Sequence, residues 1–118
     1  MPDFKALAST LTFPNTNVAI VGGTQGIGAS IAIRFAELGA AIIIVGRNEM
    51  LGSEMVKKLE KASFTSGWDN RDGITRRFKF SKRDLSKVEE IKGAAEDIAQ
   101  WAGKKGVHYL IQCQGEAQ

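Results

Sequence analysis

Apolar positions along this chain alternate between two rhythms. Short, nearly unbroken apolar runs at Asn17–Val21 and Ala41–Val45 predict strands covered on both faces, the pattern of a parallel sheet, and Val107–Ile111 predicts a further strand. Between them the spacing turns helical. Ile27, Ile31, Phe35 and Leu38 recur at intervals of four, four and three, predicting a helix from near Gly26 to Leu38-Gly39, with Gly39 suited to the C′ position. Asn48 is the expected N-cap of a second helix that buries Leu51, Met55 and Leu59. Val88, Ile91, Ala95, Ile98 and Trp101 predict a third helix, closed at Gly103. Its entry, Ser86-Lys87-Val88-Glu89, has the form of a capping box, with Ser reaching forward and Glu reaching back.

A further strand is expected at about Arg77–Ser81, where Phe78 and Phe80 alternate with charged residues, as suits a sheet edge. Residues 62–76 are polar, carry Trp68 and two glycines, and read as a long connector, more simply a surface insertion than a binding loop. The elements then run β-α-β-α-β-α-β. Short links imply parallel strands with right-handed crossovers, and a sheet order of 3-2-1-4, the first half of a doubly wound α/β fold and the start of the second. Residues 1–16 read as a leader whose Phe4, Leu7, Leu11 and Phe13 would pack on the flank of a domain occupying 17–118.

Composition narrows the class. With 118 residues, 43% apolar and 25% charged, the chain fits one ordinary globular domain. The single cysteine, Cys113, excludes an internal disulfide and gives no sign of an oxidising compartment. No signal-peptide pattern opens the chain, and its longest apolar run, Ala40–Val45, is far too short to span a bilayer, so a cytoplasmic protein without membrane contact is expected. Net charge is +3. Basic residues crowd one stretch: Lys57, Lys58, Lys61, Arg71, Arg76, Arg77, Lys79, Lys82 and Arg83. Interleaved acids and the lack of any nucleic-acid motif make this a solvated face rather than a nucleic-acid surface.

Chemistry concentrates where the first strand meets the first helix. Gly22, Gly26 and Gly28 are spaced G-x-x-x-G-x-G. Gly22 would turn the chain off the strand, Gly26 would let amides approach a pyrophosphate, and Gly28 would let the helix lie close to the sheet. The helix dipole favours an anion there. Past the second strand, where a carboxylate would accept from a ribose 2′-hydroxyl, the chain has Gly46-Arg47. A guanidinium without an acid suits a 2′-phosphate. Asp84 and Leu85 follow the third strand, where Asp84 also fits a helix-entry role beside Ser86.

Val21-Gly-Gly-Thr-Gln-Gly-Ile-Gly28 resembles the T-G-x-x-x-G-I-G signature of the short-chain dehydrogenase/reductase family, with Val21 where Thr is usual. The similarity runs from about residue 17 to 115 and covers about the first half of a family member. It implies a Rossmann-type parallel sheet with flanking helices, truncated after strand four, that binds NADP(H) in preference to NAD(H). It implies cofactor contacts from Gly22, Thr24, Gln25, Gly26, Ile27 and Gly28, from Arg47 and Asn48, and from Asp84 and Leu85 at the adenine. Leu110-Ile111-Gln112-Cys113-Gln114-Gly115 aligns with the family's L-V-N-N-A-G, which places Gln114 and Gly115 over the cofactor. Gln112, Cys113 and Gln114 replace Asn, Asn and Ala, so this segment departs from the pattern.

The family's reaction uses a Tyr, a Lys four residues later and a Ser. The chain's one tyrosine, Tyr109, falls inside strand four and is followed four residues on by Cys113, so no catalytic residue is assigned. Cys113 reads as a small semi-buried residue and His108 as a strand-end residue. Two functions are consistent with these residues. One is the NADP(H)-binding half of an oxidoreductase that moves hydride between nicotinamide and a carbonyl or alcohol. The other is a non-catalytic nucleotide-binding module or a truncated gene product. Ending at Gln118 would leave strand four as an open edge, so the isolated chain is expected to be marginally stable or prone to aggregate. No metal site is expected, and the oligomeric state is not readable.

Overall fold

The computed structural model describes residues 12–13, 15–67 and 78–113. In chain order the elements are β1 (Asn17–Val21), α1 (Gly26–Glu37), β2 (Ala41–Gly46), α2 (Glu49–Thr65), β3 (Phe78–Lys82), α3 (Val88–Ala102), a 3₁₀ turn (Gly103–Lys105) and β4 (Tyr109–Gln112). The four strands form one sheet in the order β3-β2-β1-β4, and every neighbouring pair is parallel. The expected topology is therefore the observed one.

Strand periodicity divides the core into two layers. Val18, Ile20, Ile42 and Ile44 face α1 and α2, where they meet Ala32, Ala36, Met55 and Leu59. Ala19 and Ile43 point to the opposite face and meet Trp101 and Ala102 of α3. Successive side chains of a strand alternate faces, so a strand buried on both sides must be apolar at every position. At its start, the buried Asn17 carries its polar side chain safely: Nδ2 donates to the carbonyls of Ala102 and Gly106, pinning β1 to the end of α3. His108 is a strand-end residue, with Nδ1 accepting from the Asn17 amide at 2.9 Å.

Helix α2 buries Met55 and Leu59 as expected, whereas α1 differs from expectation in which face it buries. On α1 the fully buried residues are Gly28, Ala32 and Ala36, one position beyond the large apolar stripe. Ile31, Phe35 and Leu38 are half-buried on the flank, where Phe13 packs on Phe35 and both rings meet Tyr109. Ile27 is exposed. Small residues win the central row because the helix lies almost on the sheet backbone. Gly39 ends α1 as expected, at φ +98°, with its amide bonded to the Ala36 carbonyl.

Residues 62–65 belong to α2 and not to the connector. Ser63 continues the buried row of Met55 and Leu59, and Thr65 Oγ1 bonds the Lys61 carbonyl. Leu51 is half-buried rather than buried. Residues 68–77, with Trp68, Arg71, Arg76 and Arg77, lie outside the described part, as do Phe4, Leu7 and Leu11 of the leader. β3 runs one residue past the expected end because Lys82 pairs with Gly46, and it is an edge strand, bonded only to β2 among the described residues.

The capping box does not form at α3. The N-cap is Lys87, without a side-chain bond, because Ser86 Oγ is engaged by Asp84 instead. Along α3, Ala94, Trp101 and Ala102 are buried, whereas Val88, Ile91 and Ala95 are exposed. Leu110 and Tyr109 of β4 are exposed as well.

Gly52 shows how closely α2 approaches the sheet: a β-carbon there would overlap the Phe80 ring. Gly52→Ala should therefore cost about 1–3 kcal/mol of overpacking, partly offset by about 1 kcal/mol of helix propensity. Thermal melts should show a net loss of stability that the added change Phe80→Leu relieves. An alanine variant as stable as the parent would contradict the packing.

Candidate functional site

The turn between β1 and α1 is built around backbone conformations and clearances that glycine supplies. Gly22 and Gly26 sit at φ +82° and +64°, in the left-handed region where a side chain is strained. Gly28 has a different reason. A β-carbon there would lie 2.5 Å from the Gly22 carbonyl oxygen and 3.1 Å from Cys113 Cβ. Absence of that carbon lets the first turn of α1 rest on the exit of β1. The amide of Gly22 bonds the Val45 carbonyl of β2 at 2.8 Å, which ties the turn to the neighbouring strand.

This arrangement leaves an anion cradle. The first turn of any helix has amides with no partner inside the helix. The N-cap Gln25 does not satisfy them with its side chain. No acidic residue stands in the first turn of α1, whereas α2 has Glu49 there and α3 has Glu89 and Glu90. Space above the turn is open, since a β-carbon at Gly26 would meet nothing within 4 Å. The missing acid is a signal that sequence reading passed over, and it is as visible in the sequence as the glycines.

A cleft of ≈ 630 Å³ runs from this turn to the exit of β2, lined by Thr24, Gln25, Arg47, Asn48, Glu49, Met50 and Leu51. It brings together four of the expected residues, Thr24, Gln25, Arg47 and Asn48, and adds three at the start of α2. Arg47 is exposed on the cleft wall. Asn48 is the α2 N-cap, its Oδ1 accepting from the Leu51 amide at 3.1 Å. Its side chain is thus committed to the helix. Ile27, also expected at the site, has an exposed side chain on the first turn.

At the exit of β3, Asp84 Oδ1 accepts from Ser86 Oγ at 2.7 Å and from the Ser86 amide at 3.1 Å. These two bonds, with smaller help from Arg47 and Lys87, hold its carboxyl below the usual carboxylate range. Asp84 thus closes the turn that precedes α3 through its bonds to Ser86. Leu85 beside it is half-buried. Gln114 and Gly115 lie outside the described residues. Cys113, half-buried, stands at the end of β4 against Gly28, its amide bonded to the Val21 carbonyl. Among the described residues no cluster of His, Cys, Asp or Glu could hold a metal ion, and no helix is long and apolar enough to cross a membrane.

Arg83 belongs to the basic stretch expected to be solvated, yet it is tied down. Its Nε and Nη2 donate to Asp97 Oδ2 and Oδ1 at 2.8 and 3.2 Å, and Nη1 donates to Glu90 Oε2 at 2.9 Å. Ser81 Oγ adds a 2.6 Å bond to Asp97. The guanidinium is pushed to higher pKa chiefly by Asp97, then by Glu90. Asp97 and Glu90 are each pulled below their usual range, first by Arg83.

Residues 16–117 match the family of short chain dehydrogenases, and the chain belongs to that family. It is 32% identical over 95 residues to a 3beta-hydroxysteroid dehydrogenase of Mediterraneibacter gnavus, covering 80% of this chain and 30% of the relative. Against a 3-ketodihydrosphingosine reductase of Bos taurus the identity is 34% over 106 residues, 89% of this chain and 29% of the relative. The NADP-bound C-domain of a bacterial malonyl-CoA reductase superposes with a TM-score of 0.79 at 26% identity, over 97% of this chain and 16% of that one. The chain thus spans about 30% of the length of the curated relatives it matches.

Because Asp84, Glu90 and Asp97 are held below their ordinary values, their contribution to stability is complete above about pH 4–5 and is lost as pH falls through the lowered values. Urea midpoints measured from neutral pH into acid should fall on that limb. Asp97→Asn should lower the neutral plateau and flatten the acid limb. Parallel curves for the two proteins would contradict the ion pairing.

Proposed function

We propose that residues 17–118, preceded by a leader at 1–16, are the NADP(H)-binding part of a cytoplasmic short-chain oxidoreductase that transfers hydride between nicotinamide and a carbonyl or alcohol. The observation that carries this reading is one cleft joining Thr24 and Gln25, in the turn that leads into the acid-free first turn of α1, to Arg47 at the exit of β2. At its edge, the amides of Gly26–Gly28 hold the diphosphate, with Gly22 shaping the turn. Thr24 and Gln25 flank it, and Arg47 takes the 2′-phosphate with its planar set of donors. Asn48 contributes by capping α2, so that its first turn also faces the cleft. Asp84 and Leu85 border the adenine, and Gln114 and Gly115 close over the cofactor by resemblance to the family. When bound, the dinucleotide supplies or accepts the hydride; this chain's residues bind and orient it, and the cofactor's chemistry needs groups that this chain does not carry in the family's pattern. NADP in the malonyl-CoA reductase domain supports the choice of a pyridine dinucleotide, and Arg47 supports the phosphorylated form. No nucleic acid or membrane partner enters this reading.

Removing a charge-assisted bond to a phosphate costs about 1.5–3 kcal/mol, about tenfold or more in affinity. Calorimetric titration of Arg47→Ala should show NADPH weakened by at least about tenfold and NADH almost unchanged. Equal losses for both cofactors would remove the 2′-phosphate assignment, and a parent chain that binds neither would remove the whole reading.

A further inference from the structure

The tightest group of charged side chains in the described part lies beside the cleft and not in it. Arg83 leaves β3 with its amide bonded to the Gly46 carbonyl at 2.8 Å, one residue before Arg47. Its guanidinium turns toward α3 and spans two carboxylates, Glu90 and Asp97, which are seven residues and so two helical turns apart on one face. Between them on that face is Gly93, where a β-carbon would come within 2.5 Å of Arg83 Nη1 and 2.6 Å of Cζ. The groove that seats the guanidinium exists because residue 93 has no side chain. Glu90 does double duty: while Oε2 takes Arg83 Nη1, Oε1 accepts from the Asp84 amide at 3.3 Å.

We propose that Arg83, Glu90 and Asp97, with Gly93 making room, form a buckle that fixes the backbone of Asp84 and the exit of β2, and that they act as positioning residues for the adenosine end of the dinucleotide. This rests on the proposed cofactor site. The segment is held at two peptide groups: the main chain bonds the Arg83 amide to the Gly46 carbonyl, and Glu90 of the buckle takes the Asp84 amide. With its backbone held, Asp84 turns its carboxylate onto Ser86 and stays in a single orientation. Arg83 acts in this reading as scaffold and not as a second phosphate ligand, since three of its five N–H groups bond carboxylates, and two negative charges outweigh its one positive charge. Among the described residues, that leaves Arg47 as the cation lining the cleft. Lysine cannot replace Arg83, because an ammonium is a point donor that lacks the planar fork needed to meet Asp97 with two bonds while reaching Glu90.

The test compares the parent chain with Arg83→Lys and Gly93→Ala, the second of which displaces the guanidinium without altering its charge. Dissociation constants for NADPH, NADH and adenosine 2′,5′-bisphosphate are read calorimetrically, well below each variant's melting midpoint. All three ligands carry adenosine, so each should weaken by about tenfold in both variants. The loss should be the same with and without the 2′-phosphate, unlike the selective loss expected for Arg47→Ala. Asp97→Asn gives the same reading if Arg83→Lys fails to fold. Variants that melt lower but bind all three ligands as the parent does would make the buckle purely structural and overturn the proposal. A loss confined to the 2′-phosphorylated ligands would overturn it too, by making Arg83 a phosphate ligand. A parent chain that binds none of the three would overturn the cofactor reading itself, a distinguishable failure.

Discussion

The contact on which the rest of the molecule depends is the one between the first turn of α1 and the end of β1. A helix can come this near a strand exit only if residue 28 has no β-carbon, since one would stand 2.5 Å from the Gly22 carbonyl. Everything functional follows from that approach. It aims the unpartnered amides of α1 at the open side of the turn and sets α1 on its smallest side chains, Ala32 and Ala36. It also aligns the turn with the exit of β2, through the bond from Gly22 to Val45. A bulkier helix start would shift the amides, the dipole and the cleft together.

Much of this was legible in the sequence because it is written in backbone terms. Two-sided burial demands continuous apolar strands, and Val18–Ile20 and Ile42–Val45 supply them. Left-handed turns demand glycine, and Gly22, Gly26 and Gly39 supply it. What sequence reading missed involves competition between partners. Ser86 looked like an N-cap, but a carboxylate two residues earlier took its hydroxyl. Ile27 looked like a core residue on helical spacing, but the close approach of α1 gave the central row to glycine and alanine. Arg83 looked like one more solvated cation, because Glu90 and Asp97 meet it only after β3 and α3 have packed. Periodicity describes one element at a time and carries no information on which of two nearby acids a cation will choose.

The charges near the cleft fall into two kinds with different work to do. Arg47 stands exposed on the cleft wall, where salt screens it. Arg83 is folded into a pair of carboxylates and gives up availability for geometry. Both lie at strand exits on the same side of the sheet, bridged by the bond from the Arg83 amide to the Gly46 carbonyl. In this chain one cation is left open on the cleft wall and one is tied into the scaffold.

The most direct measurement of the central claim is amide shift mapping of the isotopically labelled chain during addition of NADP+. Saturable shifts concentrated at the amides of residues 22–28, with a second group at Arg47, are the predicted result. A diphosphate seated on the start of α1 must perturb those groups more than any others. Shifts confined to the exposed face of α3 or the edge of β4, or none at saturating nucleotide, would contradict it.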